Sequence, residues 1–498
     1  MKPNTSLKYA FSCDTTRYVW LILALNAFLW ALLSWLSVYS LPLDVVEGLF
    51  WGKEWQWGYY KHPPLPAWLI HLSWLGLGDL GPFVLSQLSI LITCFYVWRL
   101  GLQLLGVEKA ALGTLLLLGV YYFTWPSPEY NHNIAQMPIW AAVVFYYYQA
   151  LHSDRYRDWI LVGLCAGLGL LTKYVMVVLL TAIFLHLLTQ AEGRRQLIRW
   201  PLWSGVLVML LVFAPHLIWL FQHDFLPFQY AQQRAGEAPS ALQAHLFGPL
   251  KFLTVQLLDH LPLLILLAAT GFFSRSLWSS DQAEAKIRWF LFAIGVGPAL
   301  LTALVAGATG TGLRDMWGTP MWNLSGLLIA SWLITPLAQQ SQRRLLRGSV
   351  MMVMVLILLR LVDMSLLPYL KDKPSRIGWP DKAIATELEK YWQLETDCPL
   401  ELVAGEYWLG VLVSLRASTH PSVLIEGRMD YSPWVDQQRI DQSGVMLVWQ
   451  ENELPEQLAN LGEISAQGEL RLEWPVAKNA EPLRLNWAII PPQSVCSE

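Results

Sequence analysis

Two runs of this chain, "YVWLILALNAFLWALLSWLSVYS" (18–40) and "RGSVMMVMVLILLRLVDMSLL" (347–367), each reach the ~20 apolar residues that a helix needs to cross a bilayer. Several more runs of this kind follow one another between residues 81 and 337. Only 14% of the 498 residues are charged, against about a quarter in an ordinary soluble protein. The chain is therefore expected to be an α-helical, polytopic membrane protein. Lys2, Lys8 and Arg17 precede the first run, as basic residues precede a signal peptide. That run is too long for one, and no small-residue cleavage site follows it, so it reads as a retained first helix.

About eleven spans fit the hydropathy: 18–40, 81–101, 110–126, 134–151, 158–171, 174–190, 200–221, 249–273, 288–307, 316–337 and 348–367. The fifth and sixth are short and share one hairpin around Lys173. Alternate connections carry Lys or Arg close to helix ends, in "VEKA", "HSDRYRD", "AEGRRQLIR", "SRSLWSSDQAEAKIR" and "QQSQRRLLR". Such a bias assigns these loops and the N-terminus to the cytoplasm. An odd number of spans then puts the loop after the first span, and the C-terminal part, outside. The net charge of −3 adds nothing to this, because the distribution carries the message.

After residue 368 the composition changes. "YLKDKPSRIGWPDKAIATELEKYW" is charged, with Pro and Gly punctuation, and reads as a linker into an amphipathic helix. Beyond it, short apolar runs ("LELVAG", "PSVLIEG", "GVMLVWQ", "LRLNWAII") alternate with helix-like segments ("YWLGVLVSLRA", "LPEQLANLG"). The expected organisation is a membrane domain over 1–367 and a small extracytoplasmic α/β domain over 368–498. Cys94 and Cys165 fall within spans, where they act as small apolar residues. Cys398 and Cys496 share the outer domain, where an oxidising compartment permits a disulfide.

The loop after the first span, "LPLDVVEGLFWGKEWQWGYYKHPPLPAWL" (41–69), concentrates acids, bases and aromatics in a chain otherwise poor in charge. Asp44 and Glu47 are three residues apart, so on a helix they share one face with Trp51 and Glu54. They either cap and solvate an interfacial helix, or bind a divalent cation, or supply a general base with a neighbour that holds it. Lys53 is expected on the solvated side. Pro63 and Pro64 cannot continue a helix but suit the first turn of a new one. Lys61 and His62 then stand beside a helix start, a place that favours phosphate, unless Lys61 snorkels and His62 is an ordinary interfacial residue.

An Asp-x-x-Glu soon after the first span, followed by "GYYKHPPLPAWL", resembles the membrane glycosyltransferases of family 39 and their bacterial relatives, including the lipid A aminoarabinose transferases. The similarity continues through "GLGLLTKYVMVVLL", "LIWLFQHDFLPFQYAQQRAG" and "GLRDMWGTPMWNLSGLL". It implies the C-type glycosyltransferase fold, with Asp44 as the acid that deprotonates the acceptor or helps to bind a metal, and Glu47 as the second acid. The lysine that in those relatives precedes Pro-Pro and faces the donor phosphate falls on His62 or, one earlier, Lys61. Where many relatives carry an acid in the second outer loop this chain has Gln136, with Glu129, Asn131, His132 and Asn133 upstream. Lys173, Arg234 and Arg314 are candidates for phosphate oxygens, unless Lys173 snorkels and Arg314 forms a surface pair with Asp315. His223 and Asp224 either touch substrate or cap the next segment. His260, beside Asp259, is expected to be structural.

The implied reaction moves a sugar from a polyprenyl phosphate, such as undecaprenyl phosphate, to lipid A or another cell-envelope glycan, with inversion, at the outer face of a bacterial inner membrane. Its partners are the lipid-linked donor, a lipid or glycan acceptor and the bilayer, with no nucleic acid, and a divalent metal ion is the one cofactor in question. A flippase for lipid-linked glycans is the rival from another class, but it predicts charges at mid-membrane depth in two related halves. The charges here gather on one face. A protein O-glycosyltransferase differs only in its acceptor.

Overall fold

The computed structural model describes residues 5–153, 155–235, 240–279, 284–370, 374–477 and 479–493, with the side chains of 5–13 and 234–235 excepted. It consists of two compact units. The first comprises Met1–Leu33, Phe83–Phe221 and Phe228–Arg360, and the second Ser34–Pro82, Gln222–Pro227 and Leu361–Glu498.

Among the described residues five helices are long and apolar enough to cross a membrane: Asp14–Leu36, Leu65–Leu105, Trp200–Gln222, Gln243–Ala269 and Gln339–Leu370. Two bent pairs, Met176–Thr189 with Ala191–Leu197 and Ala285–Gly295 with Gly297–Thr309, raise the number to seven if each is one span. The chain is thus a multi-pass membrane protein. Of the other stretches expected to span, 134–151 forms the single helix His132–Leu151, and the rest are shorter or broken helices. Val107–Leu116 passes into 3₁₀ turns, and its residues Ala110 to Leu118 are sealed inside the unit. The 316–337 stretch divides into a 3₁₀ segment, Asp315–Trp322, and a short helix, Ser325–Ala330. Pro320 inside the first of these cannot donate to a regular α-helical ladder.

Within the first unit, helices Tyr156–Leu170 and Trp200–Gln222 cross where two glycines meet. A Cβ on Gly163 would lie 2.0 Å from the Gly205 carbonyl oxygen, and one on Gly205 2.3 Å from that of Trp159. Lipid gives helices no hydrophobic reason to associate, so close backbone approach through small residues supplies the packing.

The second unit is built on a five-stranded sheet: β1 Leu402–Gly405, β2 Ser422–Ile425, β3 Val445–Trp449, β4 Ala466–Leu472 and β5 Leu483–Ile490. The order is β2-β1-β3-β5-β4, with β2, β1 and β3 parallel and β5 and β4 antiparallel. The three parallel strands are buried along their whole length. That is why they appear in the sequence as unbroken apolar runs. The edge strand β4, absent from the sequence reading, alternates outward Gln467, Glu469 and Arg471 with inward Leu470, and those charges suit an unpaired edge. One core cluster includes Leu402, Leu424, Ile440, Leu447, Leu461 and Ile490. Cys398 is disulfide-bonded. Cys496, the partner expected from the sequence, lies outside the described residues.

The same unit contains the loop that follows the first span. Helix Leu43–Glu54 ends at Trp55 in the left-handed region, and helix Leu65–Leu77 starts after Pro64. The two pack so closely that a Cβ on Gly52 would lie 2.2 Å from the Ala67 carbonyl oxygen. Phe50 meets Trp434 edge-on at 5.5 Å, and Tyr60 stacks on Tyr431 at 4.2 Å. Arg416, at the end of helix Tyr407–Arg416, donates to Asp381 at 2.8 Å and to both oxygens of Asp79 at 3.0 and 2.8 Å. Its side chain is 10% exposed and that of Asp381 3%.

Removing one partner of such a buried set leaves uncompensated charge, at a cost of about 3–5 kcal/mol. Arg416→Met is therefore expected to lower the stability of the full-length protein by that order, read as a drop in Tm in detergent. An unchanged Tm would show that the triad holds nothing together.

Candidate active site

Helix Leu43–Glu54 buries every residue from Val45 to Gly52, far more than one amphipathic face. Glu47 is carried inside with them and is 7% exposed. A carboxylate taken out of water needs a partner. Lys61 supplies it, with Nζ 2.6 Å from Oε1. A tight turn delivers this lysine, closed by the Tyr59 N–H on the His62 carbonyl at 3.0 Å and the His62 N–H on the Tyr59 carbonyl at 3.2 Å. Immediately after it, Pro63 and Pro64 set the chain for the next helix.

Three rings surround the Lys61 ammonium: Tyr407 at 4.0 Å, Tyr60 at 5.1 Å and Trp51 at 5.9 Å. Faces of aromatic rings attract a cation, more strongly when water is excluded. Trp51 is fixed in turn. It stacks on Tyr59 at 5.1 Å, accepts the Tyr59 hydroxyl on its carbonyl at 2.5 Å and meets the half-buried His62 ring edge-on. Asp44, half-buried in the first turn of the helix, lies where the helix dipole favours an anion.

Tyr407 escaped the sequence reading. Its hydroxyl is buried and makes no hydrogen bond of ordinary geometry. Burial, and then the charges of Glu47 and Asp44, push its pKa well above the usual phenol range. The tyrosine stays protonated, a donor held next to two carboxylates. Its position at the start of a helix more than 300 residues further along the chain gave no sign of this neighbourhood.

At the far end of the same helix the partners differ. Lys53, expected to be solvated, is half-buried and donates to the His420 carbonyl. Packing against helix Tyr407–Arg416 and the start of β2 closes this end off from water, and burial pulls the Lys53 pKa down. Burial pushes the Glu54 carboxyl up, against the opposing pull of Ser422, Lys53 and Arg439. Glu47 and Glu54 therefore do not act as one acidic face.

The first unit holds a separate polar group. Helix His132–Leu151 is capped by Asn131, whose side chain accepts from the N–H of Asn133 at 2.9 Å and of Ile134 at 3.1 Å. Capping of this kind is worth ~1 kcal/mol and accounts for Asn131. Lys173 occupies the turn between helices Tyr156–Leu170 and Met176–Thr189 and donates to Asn133. Glu129 is half-buried just before this helix, and His132 is buried in its first turn. Gln136 is completely buried, and neither end of its amide has a hydrogen-bond partner. His260 is held at both ring nitrogens, by the Gln256 carbonyl at 2.9 Å and the Ser325 hydroxyl at 2.8 Å. Arg314 is exposed, while the side chain of Arg234 lies outside the described residues.

His223 and Asp224, in the second unit, form the turn between helices ending at Gln222 and beginning at Leu226. Asp224 and Phe225 both take positive φ there, 48° and 55°. Of the sequence candidates, then, Asp44, Glu47, Lys61 and His62 form one packed group, and Lys173 belongs with Asn133 rather than with Asn131. Among the described residues no three His, Cys, Asp or Glu side chains converge as ligands for a metal ion.

These features define a helical membrane protein with a buried acid–lysine–tyrosine group on its second unit. Residues 61–219 match the family of dolichyl-phosphate-mannose-protein mannosyltransferases. The chain is 23% identical over 295 residues to the lipopolysaccharide core galacturonosyltransferase RgtA of Rhizobium johnstonii, over 57% of this chain and 58% of that protein. RgtB of the same organism matches at 23% over 293 residues with the same coverage, so the chain covers 58% of the length of each of these curated relatives. ArnT from Cupriavidus metallidurans bound to undecaprenyl phosphate superposes with a TM-score of 0.61 at 13% identity, over 95% of this chain and 98% of that one. Its apo state gives 0.61 at 14%, over 97% and 100%. The chain shares the fold of ArnT, and over residues 61–219 it is similar to the dolichyl-phosphate-mannose-protein mannosyltransferases.

A carboxyl whose pKa is raised above its ordinary 4.5 binds its proton more tightly in the folded than in the unfolded chain. Stability is then lost as pH rises above that value, and the loss is complete once the buried group has ionised. Glu54→Gln removes the ionisation, so it should raise Tm at pH 8 and leave Tm at pH 4 nearly unchanged. Melting curves at the two pH values check the sign, and a lower Tm at pH 8 would mean that the pull of Lys53 and Arg439 outweighs burial.

Proposed function

We propose that this protein is an enzyme, a polyprenyl-phosphate-dependent glycosyltransferase that modifies lipopolysaccharide, at lipid A or the core, on the outer face of the inner membrane. The observation that carries the reading is the Lys61 ammonium, buried between Glu47 and the Tyr407 ring beside Asp44, in a chain with the ArnT fold. The names of the lipopolysaccharide core relatives and the bound undecaprenyl phosphate in ArnT support the choice of acceptor and donor. The basic loops support a cytoplasmic N-terminus, which puts the region from residue 368 in the periplasm.

In this reading the donor lies with its chain in the bilayer and its phosphate at the boundary, near Asp44, which follows the first span ending at Leu36. An acceptor hydroxyl attacks the anomeric carbon while Asp44 takes its proton. The new carbon–oxygen bond forms as the bond to the phosphate oxygen breaks from the opposite side, inverting the linkage. The electron pair leaves with polyprenyl phosphate, whose growing charge Lys61 meets in a dry site. His62 positions this lysine by packing on Trp51, and Glu47 holds it until the phosphate arrives. A divalent cation at Asp44 and Glu47 is an alternative use of the same carboxylates and would require Lys61 to leave Glu47. Activity with and without a chelator separates the two.

Asp44→Asn keeps size and one acceptor but loses the base, so transfer by purified protein in lipid should fall by about 10²–10⁴-fold with normal insertion. Near wild-type turnover would overturn the assignment. The donor and acceptor follow from mass spectrometry of lipopolysaccharide from cells with and without the protein, where one missing sugar unit names both.

Lys61→Ala should cost on the order of 10²-fold in kcat/KM for the lipid-linked donor. Because it also strands Glu47, the double change Glu47→Gln/Lys61→Met is the companion variant, uncharged at both positions. Activity retained in this double variant would exclude Lys61 as the phosphate group.

A further inference from the structure

A groove of about 780 Å³ opens in the first unit between the beginnings of the helices Asp14–Leu36 and Gln339–Leu370, away from every residue used above. That volume is within the range of ligand clefts, about 300–1,000 Å³. Both helices are long and apolar enough to cross a membrane. Their walls are apolar along most of the groove, with Leu21, Leu25 and Met351 56%, 52% and 65% exposed. At its mouth the chemistry changes. Arg343 and Arg347, four residues apart on one helix face, and Asp14 from the opposite helix all line it.

Neither arginine, nor Asp14, has a hydrogen bond or ion pair among the described residues. The floor between them is nevertheless fixed. Thr15 donates to the Gln342 side chain at 3.2 Å, and Gln342 donates to Glu108 at 2.7 Å. The mouth is thus built on a braced pair of helices, with three charges left for something else.

We infer that this groove binds one membrane phospholipid, phosphatidylethanolamine. An acyl chain lies against Leu21, Leu25 and Met351, as the exposed apolar wall of a bilayer-spanning helix pair requires. The phosphodiester sits on Arg343 and Arg347, whose guanidinium forks match two phosphate oxygens. Asp14 then faces the ethanolamine ammonium. The carboxylate is what selects this headgroup: an anionic phosphatidylglycerol offers it no cation, and a polyprenyl monophosphate brings extra negative charge towards it.

Arg344 provides the control, because it is exposed beside the two arginines and does not line the groove. The full-length protein is purified in mild detergent, and its retained lipids are counted by native mass spectrometry. It is then stripped and offered phosphatidylethanolamine, phosphatidylglycerol or a polyprenyl phosphate in separate arms. Wild type and Arg344→Gln should retain one phosphatidylethanolamine per chain. Arg343→Gln/Arg347→Gln should retain at least tenfold less, and Asp14→Asn should lose the preference over phosphatidylglycerol. Leu25→Trp, which fills the apolar wall without touching charge, should also expel the lipid and guards against a fold defect in the double variant. Equal retention in all variants, or polyprenyl phosphate as the sole lipid kept, would overturn the inference. Neither result bears on the transfer reaction, which is assayed with Asp44.

Discussion

The bilayer dictates the rest of this molecule. In hydrocarbon no water is available to a backbone N–H or carbonyl, so lipid-exposed segments must satisfy themselves as helices. Irregular backbone is tolerated only where protein surrounds it. This is what happens at Leu117–Gly119, a fully buried 3₁₀ turn, and the Tyr121 N–H beyond it donates to the Asp259 carbonyl at 2.8 Å. The broken 315–330 stretch follows the same rule. The Tyr122 hydroxyl and the Gln256 amide both donate to the Asp315 carbonyl, at 2.9 and 3.0 Å, where a regular helix would have used backbone groups.

Charge obeys the same constraint from the other side. Charge is scarce near lipid, and two buried lysines show how it is held. Lys109 is 5% exposed and bonds both oxygens of Glu284 at 2.7 and 2.9 Å. Lys61 is paired with Glu47 and lies among three rings. The first arrangement braces helices. The second puts a cation, two acids and a protonated phenol at one place.

Much of this was legible in the sequence. Apolar runs located the five long apolar helices because lipid demands length, and Pro63-Pro64 located the start of helix Leu65–Leu77 because proline cannot continue a helix. Strands β1, β2 and β3 showed as apolar runs because both of their faces are covered, and β5 showed through its buried second half. Strand β4 was missed because an edge strand exposes alternate residues and resembles a polar loop. Asp44, Glu47 and Lys61 stood out as charges in an apolar context. Tyr407 did not, since nothing distinguishes one tyrosine among 19 until its neighbours are known.

What the sequence determined by itself was therefore local: where the long apolar helices run, which loops carry charge, and where helices begin. Hydropathy and proline act locally, so a local reading recovers them. Only the tertiary structure decided partnership. It gave Glu47 to Lys61 and Lys53 to the His420 carbonyl, though Glu47 and Lys53 lie on one short helix. It also placed Ser34–Pro82 in the same unit as the sheet formed by residues after 400, so that Tyr60 finds Tyr431 and Lys61 finds Tyr407. Such pairings join residues hundreds of positions apart and are set by shape, burial and close packing, none of which leaves a period or a motif in the chain.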